Sequence, residues 1–386
     1  MQTPKKKIII IGPAYPYRGG NSLFVSHVYD ALKEDFEVKI INYSLLYPSI
    51  LFPGKTQFDE SRTIIKKAPN ERLINSIYPI SWFKVANKII KENPDLIVFD
   101  WWHPFFAICH FTISELIKKK FRRKILFITE NFISHEGNFL DKRLTDIGLK
   151  NASAFLVLSD IVEKEVSRIA NGRKVYKSEL PIYDCYDSEE IISVLTLRND
   201  LGFSEKDKVL LFFGYVRKYK GLDLLIEAFP AIRSSIPNAK LLIVGEFYDS
   251  PELYTDKIKK LGIDKDTVIV NNFVPNEDVG KYYKVSDLVM LPYRSATQSG
   301  ILNVAYGFLK PVVATNVGGL SEFVEDKKTG IIIKPDSPQE IAHGVNEFFR
   351  LKESVDFEKN IKDFVNRNKF GNLASLFSQI ITDTLS

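Results

Sequence analysis

A run of apolar residues ends in a basic turn at Phe212-Phe213-Gly214-Tyr215-Val216-Arg217-Lys218-Tyr219-Lys220-Gly221. The pattern predicts a buried strand ending at Gly214 and a helix beginning near Gly221, with Arg217 and Lys220 on the turn between them. A guanidinium fork matches two phosphate oxygens, and an ammonium adds a point charge. Each charge-assisted hydrogen bond to a phosphate contributes ~1.5–3 kcal/mol when desolvated. Arg217 and Lys220 are therefore candidate ligands for a diphosphate. The same composition also suits a solvated basic loop.

Three further constellations carry polar chemistry. Arg18-Gly19-Gly20-Asn21 follows the first apolar run and opens a helical pattern, where glycines admit a ligand to the backbone and free amides favour an anion. Glu130-Asn131-Phe132-Ile133-Ser134-His135-Glu136 follows another strand-like run and supplies titratable groups, among which Asn131, His135 and Glu136 are candidates for catalysis. Asp100 and His103, flanking Trp101-Trp102, lie at a third strand end and are weaker candidates of the same kind. No Asp-x-Asp sits at a strand end, and no spacing resembles a metal site. The fingerprint Gly-x-Gly-x-x-Gly is absent after Ile11, which argues against a nicotinamide dinucleotide.

The elements that must position these residues are legible as alternation. Short β-branched runs occur at Ile8–Ile11, Val38–Asn42, Leu96–Phe99, Ile125–Thr129 and Phe155–Leu158, with helical patterns such as Ser22–Lys33 and Trp82–Lys91 between them. A second series runs Val209–Phe213, Leu241–Val244, Val268–Val270, Leu288–Leu291, Val312–Ala314 and Ile331–Ile333. Its helices are expected over Leu222–Ile232, Leu253–Leu261, Asp278–Val285 and Pro338–Arg350. Such alternation predicts parallel sheets covered on both faces. From Gly172 to Lys206 the pattern fails, and the acidic residues Asp184, Asp187, Glu189 and Glu190 suggest a linker. The expected fold is α/β, with two Rossmann-like domains whose parallel sheets face a central cleft. The segment Leu373–Leu385 reads as an amphipathic helix.

Composition sets outer bounds. The 386 residues are 45% hydrophobic, 26% charged and 12% aromatic, with 28 Phe and 17 Tyr, which excludes bulk disorder and suits large aromatic cores. The net charge of +5 is too mild to indicate nucleic acid. Cys109 and Cys185 lie at no metal-binding spacing and fit a reduced, cytoplasmic compartment. The apolar run after Lys5-Lys6-Lys7 stops at Gly12-Pro13, too soon for a signal peptide, and Leu96–Ile117 is too often broken by polar residues to span a membrane. The basic segment Ser114–Lys124 suits either a helix end or peripheral contact with anionic lipid, the former being favoured.

The turn at Gly214, Lys220 and Gly221 resembles the donor motif of family 4 glycosyltransferases of the GT-B fold, with the arginine displaced to position 217. The resemblance extends over nearly the whole chain. It implies that Arg217 and Lys220 bind a donor diphosphate, that Gly19 and Gly20 lie beneath it, and that Gly245, Phe273 and Val274 stand in loops holding the nucleotide base. Most members carry two glutamates just before the strand that begins Pro311-Val312-Val313; here those places hold Ala296 and Val304. What stands there, Ala296-Thr297-Gln298-Ser299-Gly300-Ile301, resembles a subgroup with a Gln-Ser-Gly loop, making Gln298, Ser299, Gly300 and Ile301 donor-binding candidates. The implied division is residues 1–185 on the acceptor side, 186–366 for the nucleotide sugar, and 367–386 as a helix returning to the first domain. The implied activity is retaining transfer of a hexosyl unit, in polysaccharide biosynthesis, from a nucleotide-diphosphate sugar to a saccharide or lipid-linked saccharide. No metal or other cofactor is expected beyond that co-substrate. The expected location is cytoplasmic, with peripheral contact at the inner membrane face. A sugar-nucleotide epimerase and a catalytically inactive nucleotide-sugar-binding protein of the same fold remain open as alternatives.

Overall fold

The computed structural model describes residues 4–52, 54–132, 139–180, 182–183, 185–186, 193–367 and 372–385. The chain divides into two units: residues 1–59, 66–181 and 370–386 form the first, and residues 60–65 and 182–369 the second.

The first unit runs β1 (Lys7–Ile11), α1 (Gly20–Leu32), β2 (Glu37–Leu45), β3 (Asn70–Asn75), α2 (Pro79–Glu92), β4 (Leu96–Trp101), α3 (Ala107–Phe121), β5 (Ile125–Thr129), α4 (Phe139–Gly148), β6 (Ala154–Val157), α5 (Asp160–Ala170) and β7 (Lys174–Lys177). These strands form one parallel sheet in the order β3-β2-β1-β4-β5-β6-β7. Parallel strands carry helices on both faces, so β1, β4, β5 and β6 are nearly continuous apolar runs, and every residue of them except Lys7 is buried, Asp100 and Thr129 included. Alternate residues of β4 then serve two cores: Ile97, Phe99 and Trp101 pack toward α2 and α3, while Leu96 and Val98 pack toward α1.

The second unit continues with α6 (Val194–Asp200), β8 (Lys208–Phe213), α7 (Leu222–Ser235), β9 (Ala239–Val244), α8 (Glu252–Lys260), β10 (Thr267–Val270), α9 (Asn276–Val285), β11 (Leu288–Leu291), α10 (Gly300–Gly307), β12 (Val312–Thr315), β13 (Gly330–Ile333), α11 (Pro338–Leu351) and α12 (Phe357–Arg367). Its sheet is also parallel, in the order β10-β9-β8-β11-β12-β13. Strand order reverses between β1 and β4 in one sheet and between β8 and β11 in the other. Open α/β sheets bind ligands outside the carboxyl ends of their strands at such switch points. Residues 60–65 join this unit by clasping the first turn of α9: the Arg62 guanidinium meets Glu277 at 3.2 Å, and Ser61 Oγ accepts from the Asn276 amide at 3.0 Å.

The last helix, α13 (Leu373–Leu385), belongs to the first unit. Leu373, Phe377, Ile380 and Ile381 recur at helical spacing and are buried in the core that also holds Phe24, Val25 and Val28 of α1. Asp383 ties the helix to β7, accepting from the Tyr176 hydroxyl at 2.6 Å and pairing with Lys174 at 2.9 Å.

One expectation from sequence needs correction and another is borne out. The stretch from Gly172 to Lys206 is not wholly linker, because it holds β7 and α6; its acidic residues Asp184, Asp187, Glu189 and Glu190 lie outside the described residues. The basic segment is a helix end, the reading the sequence favoured: Ile117 and Phe121 are buried in the core on the inner side of α3, while Leu116 is exposed. Its lysines 118–120 sit in the last turn of α3, as the helix dipole favours, and Lys120 donates to the Ile90 carbonyl at 2.9 Å. Replacing Phe377 by Ala removes a fully buried ring from the α13 contact. The expected loss is about 3–5 kcal/mol, read as a lowered thermal midpoint of the first unit, whereas an unchanged midpoint would mean that α13 does not close this core.

Candidate functional site

At the switch point of the second sheet, two loops approach so closely that only glycine fits. Gly214 (φ +100°) follows β8, and Gly245 (φ +145°) follows β9. A Cβ on Gly245 would lie 2.0 Å from the Gly214 carbonyl oxygen. Past this contact the loops run on together: the Val216 amide donates to the Glu246 carbonyl at 2.9 Å, and the Tyr248 amide to the Val216 carbonyl at 3.1 Å. The Arg217 guanidinium stands 5.1 Å from the centre of the Tyr248 ring, so its fork is held against an aromatic face.

Lys220 ends the same turn with its side chain inward and only 6% exposed. A Cβ on Gly214 would meet its Nζ at 3.2 Å and Ile301 Cδ1 at 3.0 Å, which puts the ammonium beside the start of α10. The Tyr293 ring lies 5.8 Å away. Among the described residues no carboxylate pairs with Lys220. Burial, reinforced by the Arg217 charge, pushes its ammonium down from the ordinary 10.5 to about 8. A buried cation in this state calls for an anion.

Arg294, just after β11, fixes the turn that carries Lys220. Its guanidinium grips Asp223 with two bonds of 2.8 Å, meets Asp336 at 3.1 Å, and donates to the Lys218 carbonyl at 2.9 Å; its amide donates to the Tyr219 carbonyl at 2.6 Å. Burial alone would raise the Asp223 carboxyl, but Arg294 outweighs it and holds that carboxyl below its usual range. Gly221 (φ +68°) completes the brace, since a Cβ there would lie 2.0 Å from the Pro292 carbonyl oxygen. Sequence reading missed Arg294, whose role depends on a partner 71 positions away.

The Gln-Ser-Gly loop leads directly into α10. Ser299 caps the helix, its hydroxyl accepting from the Leu302 amide at 3.3 Å, so Gly300 and Ile301 occupy the first turn, where amides carry positive partial charge. Gln298 Oε1 is buried with no hydrogen-bond partner among the described residues. Ala296 and Val304, at the places of the usual glutamates, are both buried. Ala296 packs under Gly318 and accepts from the Gly319 amide at 3.1 Å. Phe273 and Val274 lie on the loop between β10 and α9, with Val274 buried. Thus Arg217, Lys220, Gly245, Ser299, Gly300 and Ile301 gather at the carboxyl ends of β8, β9 and β11. By contrast, a cavity of about 450 Å³ lined by Asp287, Lys310 and Phe348 opens at the opposite ends of the strands, where Lys310 donates to the Ser286 carbonyl at 2.9 Å.

Gly19 and Gly20 belong to the first unit, at its own switch point. Gly19 (φ +101°) precedes α1, and no atom of the described residues would contact a Cβ added at either glycine, which leaves the backbone accessible on that side. The neighbouring Asn21 donates to Glu130 Oε1 at 2.9 Å. Glu130, which directly follows β5, is 6% exposed, and burial pushes its carboxyl up to about 7 against the opposing bond from Asn21. Asp100, at the end of β4, is wholly buried and beside it; burial first, and the Glu130 charge second, raise its carboxyl well above the usual range. Sequence reading singled out Asp100 but quoted its partner Glu130 only as the start of a loop, because the significance of Glu130 rests on burial. His103 turns out to serve locally, its Nδ1 accepting from the Phe105 amide at 3.1 Å. Asn131 follows Glu130 and is half-buried, while His135 and Glu136 lie outside the described residues.

Comparison with known proteins agrees with this architecture. Residues 194–364 match the family model of glycosyl transferases group 1. An uncharacterized glycosyltransferase of Methanocaldococcus jannaschii is 32% identical over 152 residues, 39% of this chain and 38% of that protein. The N-acetyl-alpha-D-glucosaminyl L-malate synthase of Bacillus anthracis is 25% identical over 363 residues, 90% of this chain and 88% of that protein. For relatives matched over one shorter stretch, the chain spans between 32% and 50% of their length. Anabaena HepE, solved in complex with UDP-glucose, superimposes with a TM-score of 0.73 at 17% identity, covering 98% of this chain and 99% of HepE. The fold is therefore that of the GT-B glycosyltransferases, two α/β Rossmann-like units each built on a parallel sheet. Within it, the second unit carries a glycosyl transferases group 1 domain.

The buried ammonium makes a signed prediction. Between pH about 8 and 10.5 the unfolded chain binds more protons than the folded one, so the Lys220 contribution to stability rises with pH across that window. Lys220→Met should remove this slope and raise the stability of the free protein at pH 7 by about 3 kcal/mol. Denaturant titrations at pH 7 and 10 read both effects; a destabilised variant would mean that Lys220 has a counter-charge in the free protein.

Proposed function

We propose that the protein transfers a sugar from a nucleotide-diphosphate donor to a saccharide or lipid-linked saccharide, with retention of configuration and without a metal ion. The observation that carries this reading is the Lys220 ammonium, buried beside Gly214 and the first turn of α10 with no carboxylate partner among the described residues. A diphosphate leaving group gathers negative charge as the glycosidic bond breaks. Lys220, the Arg217 fork and the amides of Gly300 and Ile301 would stabilise that charge without reorganising. Ala296 and Val304 offer no side-chain acceptor, so the hydroxyls of the donor need other partners; the unpartnered Gln298 Oε1 is suited to accept from one of them. The raised carboxyl of Glu130 is suited to exchange a proton with an acceptor hydroxyl near neutral pH. HepE in complex with UDP-glucose supports a uridine nucleotide as the first donor to try. Retention and hexosyl transfer rest on the resemblance to family 4. Among the described residues no helix is long and apolar enough to cross a membrane.

The test is a thermal-shift and hydrolysis panel of sugar nucleotides, followed by nuclear magnetic resonance of the product's anomeric centre. Arg217→Ala combined with Lys220→Ala should weaken UDP binding at least a hundredfold; retained affinity would relocate the phosphate site. Activity that survives chelation and gives the donor's anomeric configuration supports the full reading. Buried Ala296 and Val304 favour one rival, a binding protein without turnover. It would show nucleotide binding but no transfer with any acceptor, whereas an epimerase would convert the donor with no acceptor present.

A further inference from the structure

The first unit exposes apolar side chains at one corner. Ile50 is 91% exposed, and Ile80, Phe83 and Ile108 are exposed by 52%, 50% and 49%; Leu51 and Tyr78 are exposed beside them. Single exposed apolar residues are ordinary, but a cluster marks a surface that meets something. These residues are neighbours through the fold. Helices α2 and α3 pack side by side and begin at the same end of the sheet, so Ile80 and Ile108 lie on adjacent first turns. The short turn Ser49–Leu51 is flanked by Tyr47 and Phe52, and the Tyr47 ring lies tilted at 5.1 Å from Phe105, just ahead of α3. The Ser76 amide, close before Tyr78, donates to the Leu45 carbonyl of β2 at 3.0 Å. One corner of the sheet's carboxyl end thus presents all of these side chains.

The far ends of the same helices are basic. Lys91 is exposed at that end of α2 and Lys119 at that end of α3, and Arg122 follows it, while Lys84 is exposed directly after Phe83 with a side chain long enough to reach toward the same level. At 1.5 Å per residue, Phe83 lies ~12 Å from Lys91, and Ile108 ~16 Å from Lys119. The acidic groups nearby are already engaged: Glu92 with Lys39 at 2.7 Å and Lys7 at 3.3 Å, and Glu115 with Lys118 and Asn151. An apolar tip with a cationic band above it fits an anionic bilayer. Burying the tip ~5–10 Å into the headgroup region brings the cations within about a Debye length (~8 Å) of the lipid phosphates.

We propose that this corner of the first unit docks on an anionic lipid bilayer, with Ile50, Ile80, Phe83 and Ile108 inserted and Lys84, Lys91 and Lys119 at the phosphates. The inserted residues are not those of the basic segment Ser114–Lys124, whose Ile117 and Phe121 are core. Glu130 and Asp100 stand at the same end of this sheet, so docking here would bring a lipid-linked acceptor to the carboxyls from the membrane side. The docking itself depends on no statement about the donor.

The test is vesicle flotation with the full chain. Wild type should float with vesicles of phosphatidylglycerol and phosphatidylcholine and stay behind with phosphatidylcholine alone, and 1 M salt should release it. Ile80→Ser with Phe83→Ser should lower the partition coefficient at least tenfold, and Lys84→Gln with Lys119→Gln should lower it several-fold while flattening its salt dependence. All four sites are on the surface, so thermal midpoints should not change, and UDP binding should persist in each variant whether or not the donor reading holds. Absence of flotation, or equal flotation of the serine variant, would overturn the proposal. So would a wild-type dimer that the serine variant converts to monomer, since the occupant would then be a second copy of the chain.

Discussion

An ammonium buried with no carboxylate partner among the described residues governs how the second unit is built around its switch point. Lys220 sits beside Arg217 and near the first turn of α10, so three sources of positive potential converge around a buried ammonium. Such an arrangement is unfavourable in the free protein and becomes favourable only when an anion arrives. Neighbouring features read as means of holding it in place. Arg294 pins the turn to Asp223, Gly221 lets that turn settle on the Pro292 carbonyl, and Gly245 lets the next loop close over Gly214.

The first unit meets the same topological situation with carboxyls in place of cations. Its switch point holds two carboxyls, Asp100 and Glu130, in surroundings that favour their protonated forms. One parallel-sheet plan therefore supplies a cationic site at one switch point and an acidic site at the other. The separation of roles comes from which side chain ends each strand, not from any difference in architecture.

Much of this was legible in the sequence. Strands buried on both faces announce themselves as unbroken apolar runs, and Ile8–Ile11, Leu96–Phe99 and Val209–Phe213 appear within a residue or two of the observed elements. The strands that escaped notice are the two at the sheet's outer edges, β3 with Asn70-Glu71-Arg72 and β7 with its flanking lysines, where partial exposure relaxes the demand for apolar residues. At the site, Arg217 and Lys220 stood out because they lie together on one turn. Arg294 and Glu130 did not, because their roles depend on distant partners and on desolvation, neither of which leaves a local signature.

The return of α13 to the first unit has a consequence for how the molecule comes into being. The core around Phe24 and Val28 needs Phe377 and Ile380, which are translated nearly two hundred residues after β7. At ~5–20 residues per second, a ribosome takes roughly 10–40 s to cover that stretch. Throughout that interval α1 presents an uncovered apolar stripe, while the whole second unit emerges and has time to fold. The unit that begins first is thus the one that finishes last, and its greasy seam is the natural place for a chaperone to attend until the final helix closes it.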